Sequence, residues 1–311
     1  MSFFSVVIPL YNKENFIANT LESVLNQSFT DFDVLIVDDG STDNSLAIVK
    51  SFKDERIKIY LQENQGVSTA RNKGVSFSQN TYIALLDADD IWKKNHLQSL
   101  HDAIIKFPNA GLYCTGYEIS LNNKNTKRLA NYKDYSPQTI EIVSDYFSSS
   151  VINPVAWPSA LAFSKEKFYE MGGFNTDLKA SEDLDFIARA ALKYDVVINP
   201  VVTMCYMKMS ENNLSKAGHN KDSEVFLSSF KKVELKNNSL KKYLDINRYS
   251  FVIRCKISNN ERWRVVKKDI DKSNLNLKQR MLITFPPSVL RTLKKIQLFL
   301  VQKNIYLTAF K

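Results

Sequence analysis

Cysteine is scarce in this chain: Cys114, Cys205 and Cys255 are spread across 311 residues. So few, in odd number and so far apart, they exclude a disulfide framework and a cysteine-built zinc site, and they fit a reducing cytosol. No apolar run approaches the roughly 18 residues needed to span a bilayer. The start, Met1-Ser2-Phe3-Phe4, lacks the basic residues of a secretory leader, and Pro9 interrupts the short apolar run that follows. Both glycine-rich phosphate loops are absent as well. The first expected strand is not followed by G-x-G-x-x-G, and no G-x-x-x-x-G-K-[ST] occurs anywhere. There is no internal repeat. What remains is a cytoplasmic globular chain that handles any nucleotide without the usual loops.

Composition otherwise is ordinary. A hydrophobic share of 44% and a charged share of 24% leave room for a sizeable core, in one large domain or a domain with an appendage. Charge is unevenly distributed. The net +9 resides in residues 220–311, which hold 21 Lys and Arg against 7 Asp and Glu, whereas the residues before them are net acidic. Such asymmetry points the C-terminal third at an anionic partner, a membrane surface or a nucleic acid.

Hydrophobic patterning predicts an α/β fold. Phe4-Ser5-Val6-Val7-Ile8-Pro9 reads as a buried strand ending in Leu10-Tyr11-Asn12-Lys13. Residues 14–26 carry Phe16, Ile17, Leu21, Val24 and Leu25 at helical spacing. A second strand over 33–37 runs into Asp38-Asp39-Gly40-Ser41, and Thr42 or Asp43 caps a helix reaching Phe52. A strand over 57–61, a turn over 63–66 and a helix over 67–77 follow. The fourth strand begins at Tyr82, and a helix from about Lys94 to Phe107 stops at Pro108. Four strand–helix alternations on short links mean a mostly parallel sheet with helices on both faces. The carboxyl ends of its strands share one edge, where Tyr11-Asn12-Lys13, Asp38-Asp39 and Asp87-Ala88-Asp89 converge.

Further along, 111–119 reads as a strand, 122–136 as a polar surface loop and 138–147 as a helix. Two prolines keep 153–158 irregular. A strand over 160–163, a helix over 165–171 stopped by Gly172-Gly173, a helix over 182–194 and a strand over 196–204 complete this region. The 182–194 helix is expected to bury Leu184, Ile187, Ala188 and Leu192, and His96 and His101 read as surface residues. The lysine-rich remainder is expected to form helices near 223–245, 249–272 and 288–302. The last is a basic amphipathic helix, suited either to a membrane interface or to packing on the main domain.

Tyr82-Ile83-Ala84-Leu85-Leu86-Asp87-Ala88-Asp89-Asp90 stands out. Its apolar part does not alternate, so it reads as a strand buried on both faces. Crowded carboxylates at the strand end favour a hard cation, magnesium or manganese, carrying a phosphate-bearing substrate. A solvated turn and helix start is the plain alternative.

These strand ends resemble the family 2 glycosyltransferases. The matching segments are Val6-Val7-Ile8-Pro9-Leu10-Tyr11-Asn12, Ile36-Val37-Asp38-Asp39-Gly40-Ser41-Thr42-Asp43, Asn64-Gln65-Gly66-Val67-Ser68-Thr69-Ala70-Arg71-Asn72, Leu86-Asp87-Ala88-Asp89-Asp90, and Gly172-Gly173-Phe174 followed by Glu182-Asp183. They span about residues 4–200 in the family's order. A histidine often found near position 210 in the family is replaced here by Ser210. The resemblance implies a GT-A fold over residues 1–219 and inverting transfer of a sugar from a nucleotide-diphosphate donor; residues 220–311, a basic and mainly helical region by composition and spacing, lie outside it. It implies a saccharide acceptor in surface polysaccharide synthesis (O-antigen, capsule or lipopolysaccharide), and the basic tail adds the expectation of a lipid-linked one.

By that resemblance, Asp89 binds a Mn2+ or Mg2+ ion, Asp87 contacts the ribose or donor sugar, and Asp90 favours a helix N-terminus. Lys13 and Arg71 add positive charge near the diphosphate. Asp39 accepts from the uracil N3–H and Tyr11 flanks the ring, which favours UDP; Pro9 and Asn12 complete the nucleotide side. Asp183 is the base by family pattern, with Glu182 the alternative or a group that positions the acceptor. Trp157 is either an acceptor platform or a core residue. His219 is a further metal-ligand candidate in a polar stretch. Two competing classes are a sugar nucleotidyltransferase, whose glycine- and arginine-rich loop is missing here, and a nucleic-acid-binding protein using the basic tail, for which no stacking motif is present.

Overall fold

The computed structural model describes residues 2–120, 127–129, 139–207 and 220–302. Two compact units emerge: residues 1–149 with 153–218, and residues 150–152 with 219–311.

The first unit opens with β1 (Phe4–Leu10), α1 (Ile17–Leu25), β2 (Phe32–Asp38), α2 (Ser45–Ser51), β3 (Ile57–Leu61), α3 (Val67–Phe77) and β4 (Tyr82–Leu85). These strands lie side by side and parallel in the order β3-β2-β1-β4. Both faces of β1 and β2 are buried, which their unbroken Val/Ile/Leu runs require. Phe4, Val6, Ile8 and Leu10 pack with Ile17, Leu21 and Val24 of α1 on one face. On the other, Gly74 of α3 lies so close to Val7 that a Cβ there would sit 2.3 Å from Val7 Cγ1.

The rest of the unit comprises β5 (Ile91–Trp92), α4 (His96–Lys106), β6 (Leu112–Ser120), β7 (Lys127–Leu129), β8 (Glu141–Ile142), α5 (Tyr146–Ser149), β9 (Leu161–Ser164), α6 (Lys165–Glu170), α7 (Glu182–Lys193) and β10 (Val196–Met207). Strand β9 inserts antiparallel between β4 and β6, β10 runs parallel to β6, and β5 closes that side antiparallel to β10. Turning the chain back at β9 brings the 157–160 segment and the start of α7 to the edge where β1, β2 and β4 end.

Several local expectations are corrected. Of the helix expected over 138–147, the described residues 139–147 do not form one helix. Ile140, Ile142 and Val143 are β-branched, and the segment pairs as β8 against Val197 and Ile198 before the one-turn α5. The polar stretch 122–136 contains β7, paired with Glu118–Ser120 of β6. His96 is not on the surface. It is fully buried, stacked 4.1 Å from the Trp92 ring, with Nδ1 2.8 Å from Thr203 Oγ1. His101 is partly buried against Phe3 and Phe29. On α7 the buried side is Phe186, Ile187, Ala188 and Ala190, with Leu184 and Leu192 only partly covered. Phe186 wins that position by joining Phe163, Phe168 and Phe174 in one aromatic cluster.

The second unit holds α8 (Asn220–Ser229), α9 (Lys231–Glu234), α10 (Asn238–Ile257), α11 (Trp263–Val266), α12 (Leu277–Leu282) and α13 (Pro287–Gln302). The break expected near 245–249 is absent, because α10 contains neither glycine nor proline and continues for 20 residues. Arg248 of α10 is wholly buried. Its Nη1 lies 2.7 Å from Glu234 Oε2 and 3.0 Å from Asp245 Oδ1, and its Nη2 donates to Leu227 O, so the buried charge is compensated. Leu290 anchors α13, but Val289, Leu293, Ile296 and Phe299 remain 39–58% exposed. All three cysteines are buried and free. Among the described residues no helix is long and apolar enough to cross a membrane.

Candidate active site

The site is built where β1, β2 and β4 end. Asn12 adopts φ +49°, a left-handed conformation that asparagine tolerates. Its backbone N–H donates to Ser41 Oγ, its Nδ2 to Thr42 Oγ1, and its Oδ1 accepts from Thr42 N at 2.8 Å. Asn12 therefore laces the loop after β1 to the loop after β2. Asp43 accepts from Ser45 N at the start of α2, while Asn44 is the residue at the N-cap itself. Pro9 belongs to β1. Val7 O accepts from Leu86 N, so Pro9, two residues on, turns its missing N–H to the same side, past the end of the β4 pairing. Tyr11 is 43% exposed at the strand exit.

Asp39 is almost fully buried and heavily used. Oδ1 accepts from Gln62 Nε2 at 2.6 Å and Gln65 N at 2.8 Å, and Oδ2 accepts from Gly66 N at 2.9 Å. A carboxylate has about four acceptor positions, so roughly one is left for a ligand donor. Asp39 thus orders the 62–66 turn that launches α3. Beside it, Asp38 Oδ1 and Gln62 Oε1 are buried with no partner among the described residues. Orphaned polar atoms at a strand end are the kind a ligand satisfies.

The three carboxylates after β4 separate in space and role. Asp89 Oδ2 lies 2.6 Å from Lys13 Nζ. Asp87 Oδ1 accepts from Arg71 Nη2 at 2.7 Å, and its backbone N–H donates to Ser159 Oγ. Asp90 is 1% exposed and is not at a helix N-terminus, since β5 follows it. Its Oδ2 accepts from Ser159 Oγ and its Oδ1 from Met207 N, so it ties β4 to β10. Burial, then the charges of Asp89 and Asp87, push its pKa well above the carboxylate range.

Arg71 lies across from them on α3, 3% exposed and not on a solvated helix face. Burial alone would lower its pKa, but Asp87 and Glu182 more than reverse this, so the guanidinium stays charged. Its Nη1 donates to Glu182 Oε1 at 2.9 Å. Glu182 opens α7, where burial and the neighbouring Asp183 push its pKa up to about 7 against the opposing pull of Arg71. Asp183 is raised as well, chiefly by burial.

Lys13, Asp39, Arg71, Asp87, Asp89, Glu182 and Asp183 thus gather from separate elements around one sheet edge. Trp157 lies at the start of the 158–160 turn, partly buried, with ring centroids 5.2 Å from Tyr117 and 4.7 Å from Tyr206. His219 and Ser210 lie outside the described residues. Among those described, no three His, Cys, Asp or Glu side chains come together as a metal cage. The donor set still fits a hard cation. Magnesium-type sites use one or two carboxylates with substrate phosphates, and Asp89 is a carboxylate at the strand end, whereas Asp90 is spent on Ser159 and Met207.

The family model described as "Glycosyl transferase family 2" matches residues 5–172. The chain belongs to this family. GgaA of Bacillus subtilis, a minor teichoic acid biosynthesis protein, is 35% identical over 151 residues, covering 46% of this chain and 34% of that protein. WfgD of Escherichia coli, named a UDP-Glc:alpha-D-GlcNAc-diphosphoundecaprenol beta-1,3-glucosyltransferase, is 37% identical over 120 residues, covering 38% of this chain and 47% of that one. The matches therefore span a third to a half of these relatives. The crystal structure of S. aureus TarS 1-349 with UDP-GlcNAc superposes with a TM-score of 0.67 at 18% identity, covering 98% of this chain and 93% of that one. At that identity the likeness shows the fold, which is GT-A.

Family motifs distant in sequence meet physically. Asn72 Oδ1 accepts from Phe174 N and its Nδ2 donates to Phe174 O, while the Arg71 guanidinium carbon stands 5.2 Å from the Phe174 ring centroid. Gly172 and Gly173 take positive φ to make that turn. Sequence reading missed Ser159, which holds Asp87 and Asp90 together, and Gln62, which holds Asp39. Nothing in a lone Ser or Gln distinguishes them, although Ser159 does follow the conspicuous Trp157-Pro158.

Proposed function

We propose that this chain is an inverting glycosyltransferase that moves a sugar from a nucleotide-diphosphate donor, UDP-sugar by preference, to a hydroxyl of a saccharide or lipid-linked acceptor. The reading rests on the convergence of acidic and basic groups from β1, β2, α3, β4 and α7 at one sheet edge. We assign catalysis to residues 1–219 and an accessory role to the basic residues 220–311. The donor named in WfgD and the UDP-GlcNAc in TarS favour uridine, and the names of GgaA and WfgD favour cell-surface polysaccharide synthesis.

Tyr11 is exposed where it can flank the base, and the remaining acceptor position of Asp39 suits the uracil N3–H. Pro9 and Asn12 shape this wall and fix the loops that carry it. Asp87 faces the ribose or sugar. Lys13 supplies positive charge for the diphosphate as it leaves. Asp89, with His219 as a second candidate ligand, is assigned to hold a Mn2+ or Mg2+ ion, whose chemistry when bound is to neutralise that diphosphate. Asp183 takes the acceptor proton as the hydroxyl attacks, which implies a single displacement with inversion. Trp157 offers an apolar ring face to the acceptor sugar.

A cytoplasmic membrane surface is the proposed working place. The exposed Val289, Leu293, Ile296 and Phe299 of α13 share a helix with Arg291, Lys294 and Lys295, a combination suited to an anionic lipid interface. A thermal-shift panel of nucleotide-sugars with manganese tests the function. UDP-sugars should raise the melting temperature above adenosine and guanosine counterparts, and a panel without response would reject the reading.

A further inference from the structure

Arg71 departs from the role its charge alone suggests. Both Nη atoms are committed to carboxylates on different elements, Nη2 to Asp87 Oδ1 at 2.7 Å and Nη1 to Glu182 Oε1 at 2.9 Å. The guanidinium is also packed against the Phe174 ring, and Phe174 is in turn pinned through both backbone groups by Asn72, the next residue along α3. A planar cation used as a fork between two carboxylates, with a ring beside it, is fixed in orientation. It is 3% exposed, held between these two carboxylates and the ring.

Building on the sugar-transfer reading above, we propose that Arg71 is a positioning residue that couples the two halves of the cleft. It holds the donor-side Asp87 and the acceptor-side Glu182, and so leaves Asp183 as the carboxylate that takes the acceptor proton. It is not a ligand of the diphosphate. Were Glu182 to leave Arg71 to serve as base, Nη1 would be left as a buried donor without its partner while Nη2 stays on Asp87, which is unfavourable. Asp183 is free of that constraint. The contact described for its carboxylate is Leu184 N at 2.8 Å, within its own helix turn. Consecutive helical residues diverge by about 100°, so Asp183 does not share the hydrogen bond that Glu182 receives from Arg71, although the guanidinium charge still reaches it.

The charged groups facing Asp183 are Arg71 from α3, Asp87 from the end of β4, and Glu182 beside it on α7. Arg189, lower on α7, is instead bound to Asp185 and to the carbonyls of Met171 and Gly173. Arg71 therefore stabilises the ionised base, whereas Glu182, pushed up to about 7, is largely neutral where that base titrates. Removing the Arg71 charge should therefore move the acidic limb of the pH–rate profile up, and replacing Glu182 by its neutral isostere should leave that limb nearly in place.

The test is kcat/KM and donor KM across pH for wild type, Arg71→Met, Arg71→Lys and Glu182→Gln, with UDP-sugar, manganese and acceptor. Arg71→Met should shift the acidic limb up by about 1 pH unit or more, and Glu182→Gln should leave it within about 0.3 unit, with donor KM within about threefold of wild type. Arg71→Lys, which keeps the charge but not the fork, should lose kcat while moving the limb less than methionine does. Should Arg71→Met fail to fold, Arg71→Lys still decides, by a lowered kcat at an unchanged donor KM. A donor KM that rises at every pH with unmoved limbs overturns the assignment, because it makes Arg71 a diphosphate ligand. Abolished transfer in Glu182→Gln overturns it by making Glu182 the base. Wild type without transfer from any donor rejects the function and this assignment together.

Discussion

Asp39→Asn separates the structural work of this carboxylate from its proposed contact with the base. Asp39 accepts three hydrogen bonds, from Gln62 Nε2 and Gln65 N on Oδ1 and from Gly66 N on Oδ2. Asparagine offers one acceptor oxygen and one NH2. The amide keeps its oxygen on the pair at Gln62 and Gln65, and its NH2 then faces the Gly66 N–H. One buried backbone donor loses its partner, at about 1–3 kcal/mol. The two surviving bonds lose their charge assistance, roughly another 1 kcal/mol together. The expected destabilisation is therefore about 2–4 kcal/mol. For a unit near 200 residues this lowers Tm by roughly 4–16 °C, at 2–4 °C per kcal/mol. Differential scanning calorimetry of the full chain is the assay, with Gln62→Ala as a control that leaves the carboxylate intact and shifts Tm far less. A Tm for Asp39→Asn within 1 °C of wild type would refute the claim that Asp39 holds the 62–66 turn.

Two further perturbations probe other parts of the molecule. His96 is held neutral by burial, with its pKa lowered to about 3, whereas the unfolded chain takes up that proton near 6.5. Its contribution is fully present above pH 6.5 and is lost as pH falls. The stability difference between wild type and His96→Gln should change by about 2 kcal/mol between pH 7.5 and 5.0 in urea melts, wild type losing more as pH falls; a difference that does not vary with pH would contradict it. Replacing Leu293, Ile296 and Phe299 by serine should reduce flotation with anionic liposomes without lowering Tm, because these side chains are exposed. Undiminished flotation would move the membrane contact elsewhere.

The sheet edge that carries the candidate site was legible because its determinants are local. Val6-Val7-Ile8 and Leu35-Ile36-Val37 are too apolar to face water on either side, so a doubly covered parallel sheet follows, and polar residues at strand ends then share an edge. The β3 and α3 boundaries coincide with the expected ones for the same reason. What was not legible depends on partners far along the chain. Residues 140–143 are ambiguous until β10 offers them a strand to pair with. His96 looks solvated until Trp92 and Thr203 enclose it. Asp87, Asp89 and Asp90 read as one cluster, yet Arg71, Lys13 and Ser159 draw them into three separate environments. The antiparallel insertion of β9 leaves no local mark, and it is this insertion that delivers Ser159 and α7 to the site.

Calorimetric titration of UDP in the presence of manganese, comparing wild type with Asp89→Ala, tests the central claim most directly. Wild type should bind UDP saturably, and Asp89→Ala should weaken binding at least tenfold at constant manganese. Absence of UDP binding by wild type, or equal affinity in the two proteins, would contradict the placement of a nucleotide-sugar at this sheet edge.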